Sequence, residues 1–249
     1  MKRGDGRLTL DPFLAGTDGA DASPGSGDSA GHSIAADDPR PRDACGVFGV
    51  WAPGEEVAKL SYFGLYALQH RGQESAGIAV SDGDHIVVYK DMGLVAQVFD
   101  ESHLAALTGH LAIGHTRYST TGSSNWENAQ PTFRHTGLSS IALGHNGNLI
   151  NTGELARLAA ESEVARGDVL LPGFPPVNAT SDTDLVTTLL ANHASRSLEK
   201  AALEILPLLR GAFSFVFMDE STLYAARDPQ GIRPLVLGRL ASPPRVWLT

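Results

Sequence analysis

Cys45 is the only cysteine in the 249 residues, and it stands at a compositional border. Residues before it are rich in Gly, Asp, Ser and Pro, while Gly46-Val47-Phe48-Gly49-Val50-Trp51 opens an apolar stretch. A cut between Ala44 and Cys45 would give one residue both a thiol nucleophile and a free α-amine. Such an amine has a reference pKa of about 7.7–8, so it can serve as a base near neutral pH. Nucleophiles activated by their own N-terminal amine are an established catalytic arrangement. Free cysteines are otherwise small buried hydrophobes, so the residue takes its meaning from what surrounds it.

Four polar clusters supply those surroundings: Gln69-His70-Arg71-Gly72, Gly114-His115-Thr116-Arg117-Tyr118, Gly144-His145-Asn146-Gly147-Asn148 and Ser181-Asp182-Thr183-Asp184. Thiolate attack on a carboxamide creates an oxyanion, which wants preorganised donors. Asn146 offers a side-chain amide and Gly147 a backbone N–H. An α-carboxylate suits the guanidinium fork of Arg117, and an α-ammonium suits the Asp182 carboxylate. Each cluster has a plainer reading. Asn146-Gly147 is a common hairpin-turn pair, Asp182 a helix cap, Arg117 a weak surface ion pair, and His115 and His145 structural histidines. It is the joint occurrence beside a nucleophile that points to amide chemistry.

The elements that must position these groups follow from periodicity and turn signals. Residues 1–44 cannot bury enough apolar surface to offset their ordering entropy and read as a disordered leader; they lack the apolar core of a secretory signal. Gly46–Trp51 reads as a buried strand. Leu60, Phe63, Ala67 and Leu68 mark one face of a helix from Val57 to His70, with Gly72 as its stop. Asp82-Gly83 joins two strand-like runs, Gly77–Val80 and His85–Lys90. A short helix with loops is expected over Leu94–Leu107, and a strand over Leu111–Tyr118 leads into a loop from Ser119 to Pro131. Ser139–Gly144 is a further strand ending at His145. Thr152 is placed as the cap of a helix carrying Leu155, Leu158 and Ala159, and residues 166–180 as a loop. Ser181–Asp184 opens a helix to about His193, and another covers Leu198–Leu209. Gly211–Met218 and Thr222–Ala226 form a second hairpin, Asp228–Pro234 a turn, and Leu235–Gly238 a last strand. Strands in hairpins with helices between groups favour antiparallel sheets covered by helices, an α+β class.

Composition narrows the function. Apolar residues make up 42% and charged residues 19%, the balance of a globular protein, and residues 45–249 suffice for one sizeable core. Nineteen Lys and Arg against 28 Asp and Glu give a net charge of −9, which argues against nucleic acid as a partner. One cysteine excludes an internal disulfide framework and a Cys-rich metal site. No run of 18 apolar residues suggests a membrane span.

The most specific stretches are Cys45-Gly-Val-Phe-Gly49, Leu68-Gln-His-Arg-Gly-Gln-Glu-Ser-Ala-Gly77, Gly114-His-Thr-Arg-Tyr118, His145-Asn-Gly-Asn-Leu149 and Arg227-Asp-Pro-Gln-Gly-Ile-Arg-Pro-Leu235. On these the chain resembles the N-terminal glutaminase domain of the amidophosphoribosyltransferase family, within the class II glutamine amidotransferases, from about Cys45 to Leu237. The Gln-His-Arg-Gly-Gln form separates it from the sugar-phosphate relatives, which usually carry a Tyr-Arg-Gly-Tyr-Asp-like version. The resemblance implies a four-layer αββα N-terminal-nucleophile hydrolase sandwich and a propeptide, residues 1–44, removed before Cys45. It implies Cys45 as nucleophile, Asn146 and Gly147 as oxyanion hole, and Arg117, Thr120, Asp182 and Arg71 as glutamine-binding residues. It further implies ammonia supply to phosphoribosyl diphosphate in a domain absent after Thr249, in the first step of purine synthesis. A cytoplasmic homo-oligomer is implied for the full-length enzyme. No cofactor is expected in this chain, although Mg²⁺ and, in some members, an iron–sulfur cluster belong to the whole enzyme. Two rivals stand beside this expectation. Another class II amidotransferase would be told apart by its acceptor substrate, and a non-catalytic glutamine-binding module by binding without turnover.

Overall fold

A computed structural model describes residues 45–118, 125–135, 139–166, 181–193, 197–241 and 244–248. In chain order these form β1 (Gly46–Trp51), α1 (Val57–Ala67), β2 (Ser75–Ser81), β3 (Ile86–Met92), α2 (Val95–Val98), α3 (Glu101–Ala106) and β4 (Leu111–Arg117). There follow β5 (Thr132–His135), β6 (Ser140–Leu149), α4 (Thr152–Arg166), α5 (Asp182–His193), α6 (Leu198–Ile205), β7 (Gly211–Met218), β8 (Leu223–Arg227), β9 (Leu237–Ala241) and β10 (Pro244–Leu248). The strands make two sheets, ordered β3-β2-β4-β1-β10-β9 and β5-β6-β7-β8, and every pairing is antiparallel.

Side-chain alternation decides the layering. Successive strand residues point to opposite faces. In β1, Val47 joins an apolar layer with Ile113, Ala142, Val216 and Met218, which lies between the sheets. Val50 faces the other way, with Ala112, Ile78 and Leu65 of α1. In the smaller sheet, Ile141, Leu143, Phe213, Phe215 and Phe217 pack on Leu185, Leu189 and Leu190 of α5 and Ile205 of α6. The order is therefore helix, sheet, sheet, helix, the expected αββα sandwich. Each fully buried Leu, Ile or Phe contributes roughly 1.5–3 kcal/mol of transfer free energy to these layers.

The alternation also aims the functional side chains. His115 and Arg117 share the parity of Leu111 and Ile113, so they face the second sheet. Asn146 shares the parity of Ala142 and faces back toward them. His145 has the parity of Ile141 and Leu143 and points to the helical side, under α5.

Several boundaries depart from expectation for identifiable reasons. The strand expected to end at Gly144 runs on to Leu149, because β7 pairs with it as far as Leu149 against Gly211. Asn146-Gly147 therefore lies inside a strand and is not a turn. Strand β5, four residues long, had no sequence signal. The last strand begins at Leu237 and not Leu235, and it pairs with β10, which was not expected. The helical stretch near residue 100 is two helices, because the Asp100 carboxylate accepts the His103 N–H at 2.8 Å and caps a new start. Thr152 is the first residue of α4 and not its cap; the Asn151 carbonyl accepts the Glu154 and Leu155 N–H groups. The expected loop at 166–180 lies outside the described residues except for Arg166, which is the last residue of α4.

Candidate active site

Cys45 sits half-buried immediately before β1, and the pairing of Gly46 with Thr116 sets it beside the end of β4. Its sulfur receives the Tyr118 N–H at 3.5 Å and reaches the Tyr118 carbonyl at 3.7 Å. The Cys45 carbonyl accepts the Arg71 Nε–H at 3.3 Å. Arg71 belongs to a single 3-10 turn, Gln69–Arg71, which Gln69 fastens by accepting the Val95 N–H at 2.7 Å. A Cβ on Gly72 would lie 2.6 Å from the Thr116 carbonyl carbon, so only glycine lets this turn pass against β4. Burial pushes the Cys45 thiol up from its ordinary value. The Tyr118 N–H and the Arg117 charge pull it down without overcoming that. At neutral pH the thiol stays protonated and attack needs a base.

Arg117 is buried and donates through Nη1 to the Glu74 carboxylate, itself largely buried. The surface-pair reading of Arg117 is thereby overturned. A guanidinium in this position requires a counter-charge, and Glu74 also fixes where the fork points. Glu74 was not singled out in the sequence, although it lies in the Gln-His-Arg-Gly-Gln-Glu stretch.

Across the sandwich, β6 carries the donors. Strand β5 stops at Thr132, opposite Leu143, and leaves the next part of the β6 edge uncovered. The His145 N–H on that edge donates to Gln130 Oε1 at 2.8 Å, and the Leu149 N–H donates to Asp182 Oδ2 at 3.1 Å. Gly147 lies between them with the same parity. Its cross-strand partner Phe213 exchanges its own N–H and C=O with Asp228, so the Gly147 N–H faces away from β7 and out of this edge. A Cβ on Gly147 would stand 2.1 Å from the Ala212 carbonyl oxygen, which excludes any other residue. Asn146 is buried, and its Oδ1 has no hydrogen-bond partner among the described residues.

Asp182 opens α5, where the Ser181 hydroxyl caps the Asp184 N–H at 3.2 Å. Asp182 is thus not the cap itself. Burial would raise its carboxyl, but the His145 ring and the Leu149 and Thr183 N–H groups outweigh that and hold it below the usual carboxylate range. It is ionised at neutral pH, and its charge is felt at the Cys45 sulfur, as is that of Arg117.

His115 joins the two sheets. Its Nε2 lies 2.9 Å from the His145 carbonyl, which can only accept, so Nε2 carries the hydrogen. Its Nδ1 is buried without a partner among the described residues. Burial pulls its pKa down to about 3. Between that value and the ordinary one near 6.5, the unfolded chain binds a proton that the native ring refuses. Stability therefore falls as the pH drops from about 6.5 toward 3, at ~1.4 kcal/mol per pKa unit of difference. Urea unfolding at stepped pH should give a flatter acid limb for His115→Gln than for the parent chain. Parallel limbs would mean that His115 is not buried neutral.

The sequence profile of the glutamine amidotransferase domain matches residues 115–248, just over half of the chain. The chain belongs to the glutamine amidotransferase family. Amidophosphoribosyltransferase of Mycobacterium leprae (strain TN) is 63% identical over 202 residues, covering 80% of this chain and 35% of that protein. The enzyme of the same name from Synechococcus elongatus is 51% identical over 205 residues, covering 82% and 39%. Among solved structures, Bacillus subtilis glutamine phosphoribosylpyrophosphate amidotransferase complexed with ADP and GMP superimposes with a TM-score of 0.68 at 35% identity, over 81% of this chain and 41% of that one. The chain thus spans 35–41% of the length of these relatives.

For this glutamine amidotransferase chain, the expected residues fall into three groups. Cys45, Arg117 and Asp182 share one electrostatic neighbourhood, with Asn146 and Gly147 on the facing strand. Arg71 touches the Cys45 carbonyl, so it is placed to hold Cys45. Thr120 lies outside the described residues. Sequence reasoning missed Glu74, Tyr118 and Gln130, which act through backbone placement or long-range pairing.

Proposed function

We propose that the chain hydrolyses glutamine to glutamate and ammonia, with Cys45 as an N-terminal nucleophile once residues 1–44 are removed. The observation that carries this is the placement of the Cys45 thiol where the charges of the buried Arg117 and the ionised Asp182 are both felt, with the Leu149 N–H bound by Asp182 on the same β6 edge as the Gly147 N–H. The freed α-amine takes the thiol proton. The thiolate attacks the side-chain amide carbon, and the oxyanion is met by the Gly147 N–H and the Asn146 amide. The collapsing intermediate expels ammonia, which takes up the proton from the ammonium. Water then cleaves the γ-glutamyl thioester and restores the thiol. Arg117 receives the substrate α-carboxylate and Asp182 the α-ammonium, while Thr120 assists from its loop.

The relatives' name supports the wider reading in which the ammonia serves an amidophosphoribosyltransferase reaction of purine synthesis, with phosphoribosyl diphosphate as acceptor, in a longer protein; that this protein is a cytoplasmic homo-oligomer belongs to the same proposal. Mg²⁺ and an iron–sulfur cluster would belong to that longer protein. A cluster is held by several cysteine thiolates, and the single thiol here is committed as the nucleophile, so no step passes through either group.

Glutamate release by the matured protein, followed with and without phosphoribosyl diphosphate, tests both levels. Binding of glutamine without turnover would exclude the catalytic reading. Within it, Asn146→Ala should lower kcat by about 10²–10³ with little change in KM, the usual cost of one oxyanion donor. Arg117→Lys should mainly raise KM, because an ammonium cannot replace the bidentate fork. Exchanged phenotypes would reassign the two residues.

A further inference from the structure

Gln130 is not needed by the chemistry above, yet it is buried and both ends of its amide are engaged. Its Oε1 accepts the His145 N–H at 2.8 Å, and its Nε2 donates to the Thr183 hydroxyl at 3.1 Å. The two bonds join different elements, the exposed edge of β6 and the first turn of α5. The reason is local. Strand β5 pairs with β6 only from Thr132 onward, and the Gln130 carbonyl is turned toward β2, where a Cβ on Gly77 would stand 2.2 Å from it. The side chain of Gln130 continues the ladder where the backbone cannot. The neighbouring Ala129 carbonyl is itself held by Lys90 Nζ at 2.5 Å, and the Lys90 carbonyl accepts the Trp126 indole N–H at 3.0 Å.

We propose that Gln130 is a positioning residue for the oxyanion site, aligning the Gly147 N–H with Asp182 by tying β6 to the start of α5. On one strand edge, donors 145, 147 and 149 point the same way. The outer two are bound by Gln130 and by Asp182, and the middle one is the donor assigned to the oxyanion. Thr183 closes the loop, since its hydroxyl also lies 3.1 Å from His145 Nδ1. With both flanks fixed, the Gly147 N–H is aimed before substrate arrives, and preorganisation of this kind is where such donors gain their effect. The inference rests on the glutaminase reading.

The test uses the matured full chain and three variants: Gln130→Met, which keeps length and removes both bonds, Gln130→Glu, which keeps the acceptor for the His145 N–H, and Thr183→Val. In Gln130→Met, kcat should fall about 10-fold or more while KM moves less than about threefold, as expected for a misaligned transition-state donor. Gln130→Glu should recover part of that loss. Thr183→Val should lower kcat in the same sense, and the double variant should lose less than the two single losses combined, because the two share the Gln130–Thr183 bond. Alkylation of Cys45 separates alignment from general damage. Iodoacetamide, which needs no oxyanion hole, should react within about twofold of the parent rate, whereas a glutamine-shaped diazo ketone should slow with kcat. A Gln130→Met chain with parental kcat, or one that loses both alkylations equally, overturns the proposal. If that variant does not fold, parental kcat in Thr183→Val overturns it instead. A parent chain that labels at Cys45 but releases no glutamate defeats the glutaminase reading, and this inference with it.

Discussion

Cys45→Ala is expected to abolish glutamine hydrolysis and leave the fold in place. Removal of the attacking atom of a covalent mechanism costs on the order of 10⁶ in kcat. The fold should survive because Cys45 lies before β1, belongs to none of the three apolar layers and is only half-buried. Loss of one partly exposed sulfur belongs with substitutions that cost ~1 kcal/mol or less. Three measurements check this together: glutamate release, thermal unfolding by circular dichroism, and the intact mass after treatment with 6-diazo-5-oxo-norleucine. The parent should gain one adduct at Cys45, and the variant none. A variant that still releases glutamate, or a parent labelled elsewhere, would remove Cys45 from the mechanism.

A chain that retains Ala44 should be nearly inactive. The structure sharpens the reason. Burial holds the Cys45 thiol protonated at neutral pH despite the nearby Arg117 charge and Tyr118 N–H, so attack requires a base. His115 cannot serve: burial pulls its pKa down to about 3, which makes its Nδ1 far too weak a base to take a thiol proton. In the proposed mechanism the α-amine of Cys45 is the base, and an amide bond to Ala44 would take its lone pair away. Loss of a general base costs about 10²–10⁴, so the uncleaved form should be slower by at least about 10². N-terminal sequencing and intact mass run beside the glutaminase assay decide it. A homogeneous sample retaining Ala44 that matches the rate of the Cys45-started form would exclude the amine as base.

What the sequence determined by itself is local and chemical. The strand runs at Gly46–Trp51 and from Leu111, the Asp82-Gly83 hairpin, and the capped start of α5 depend on contacts within a few residues, and they are present in the structure. The residue types able to attack, hold and neutralise an amide substrate were equally legible, since chemistry is carried by side-chain identity. Tertiary structure alone decided how those groups are held. Arg117 is oriented by Glu74, 43 residues away, and the His145 carbonyl by His115, 30 residues away. No periodicity encodes such pairings, because the first arises only when β2 pairs with β4 and the second only when β4 and β6 are brought face to face. The fate of Asn146-Gly147 makes the same point. In isolation the pair favours a turn; the hydrogen bonds and packing supplied by β7 keep it in a strand instead. Strand β5 is too short to show a period, and its pairing with β6 stops at Thr132, where the Gln130 backbone turns toward Gly77 of β2. That ending is what makes Gln130 a ladder partner and leaves the Gly147 N–H facing outward, a consequence of register, which only the assembled sheet defines.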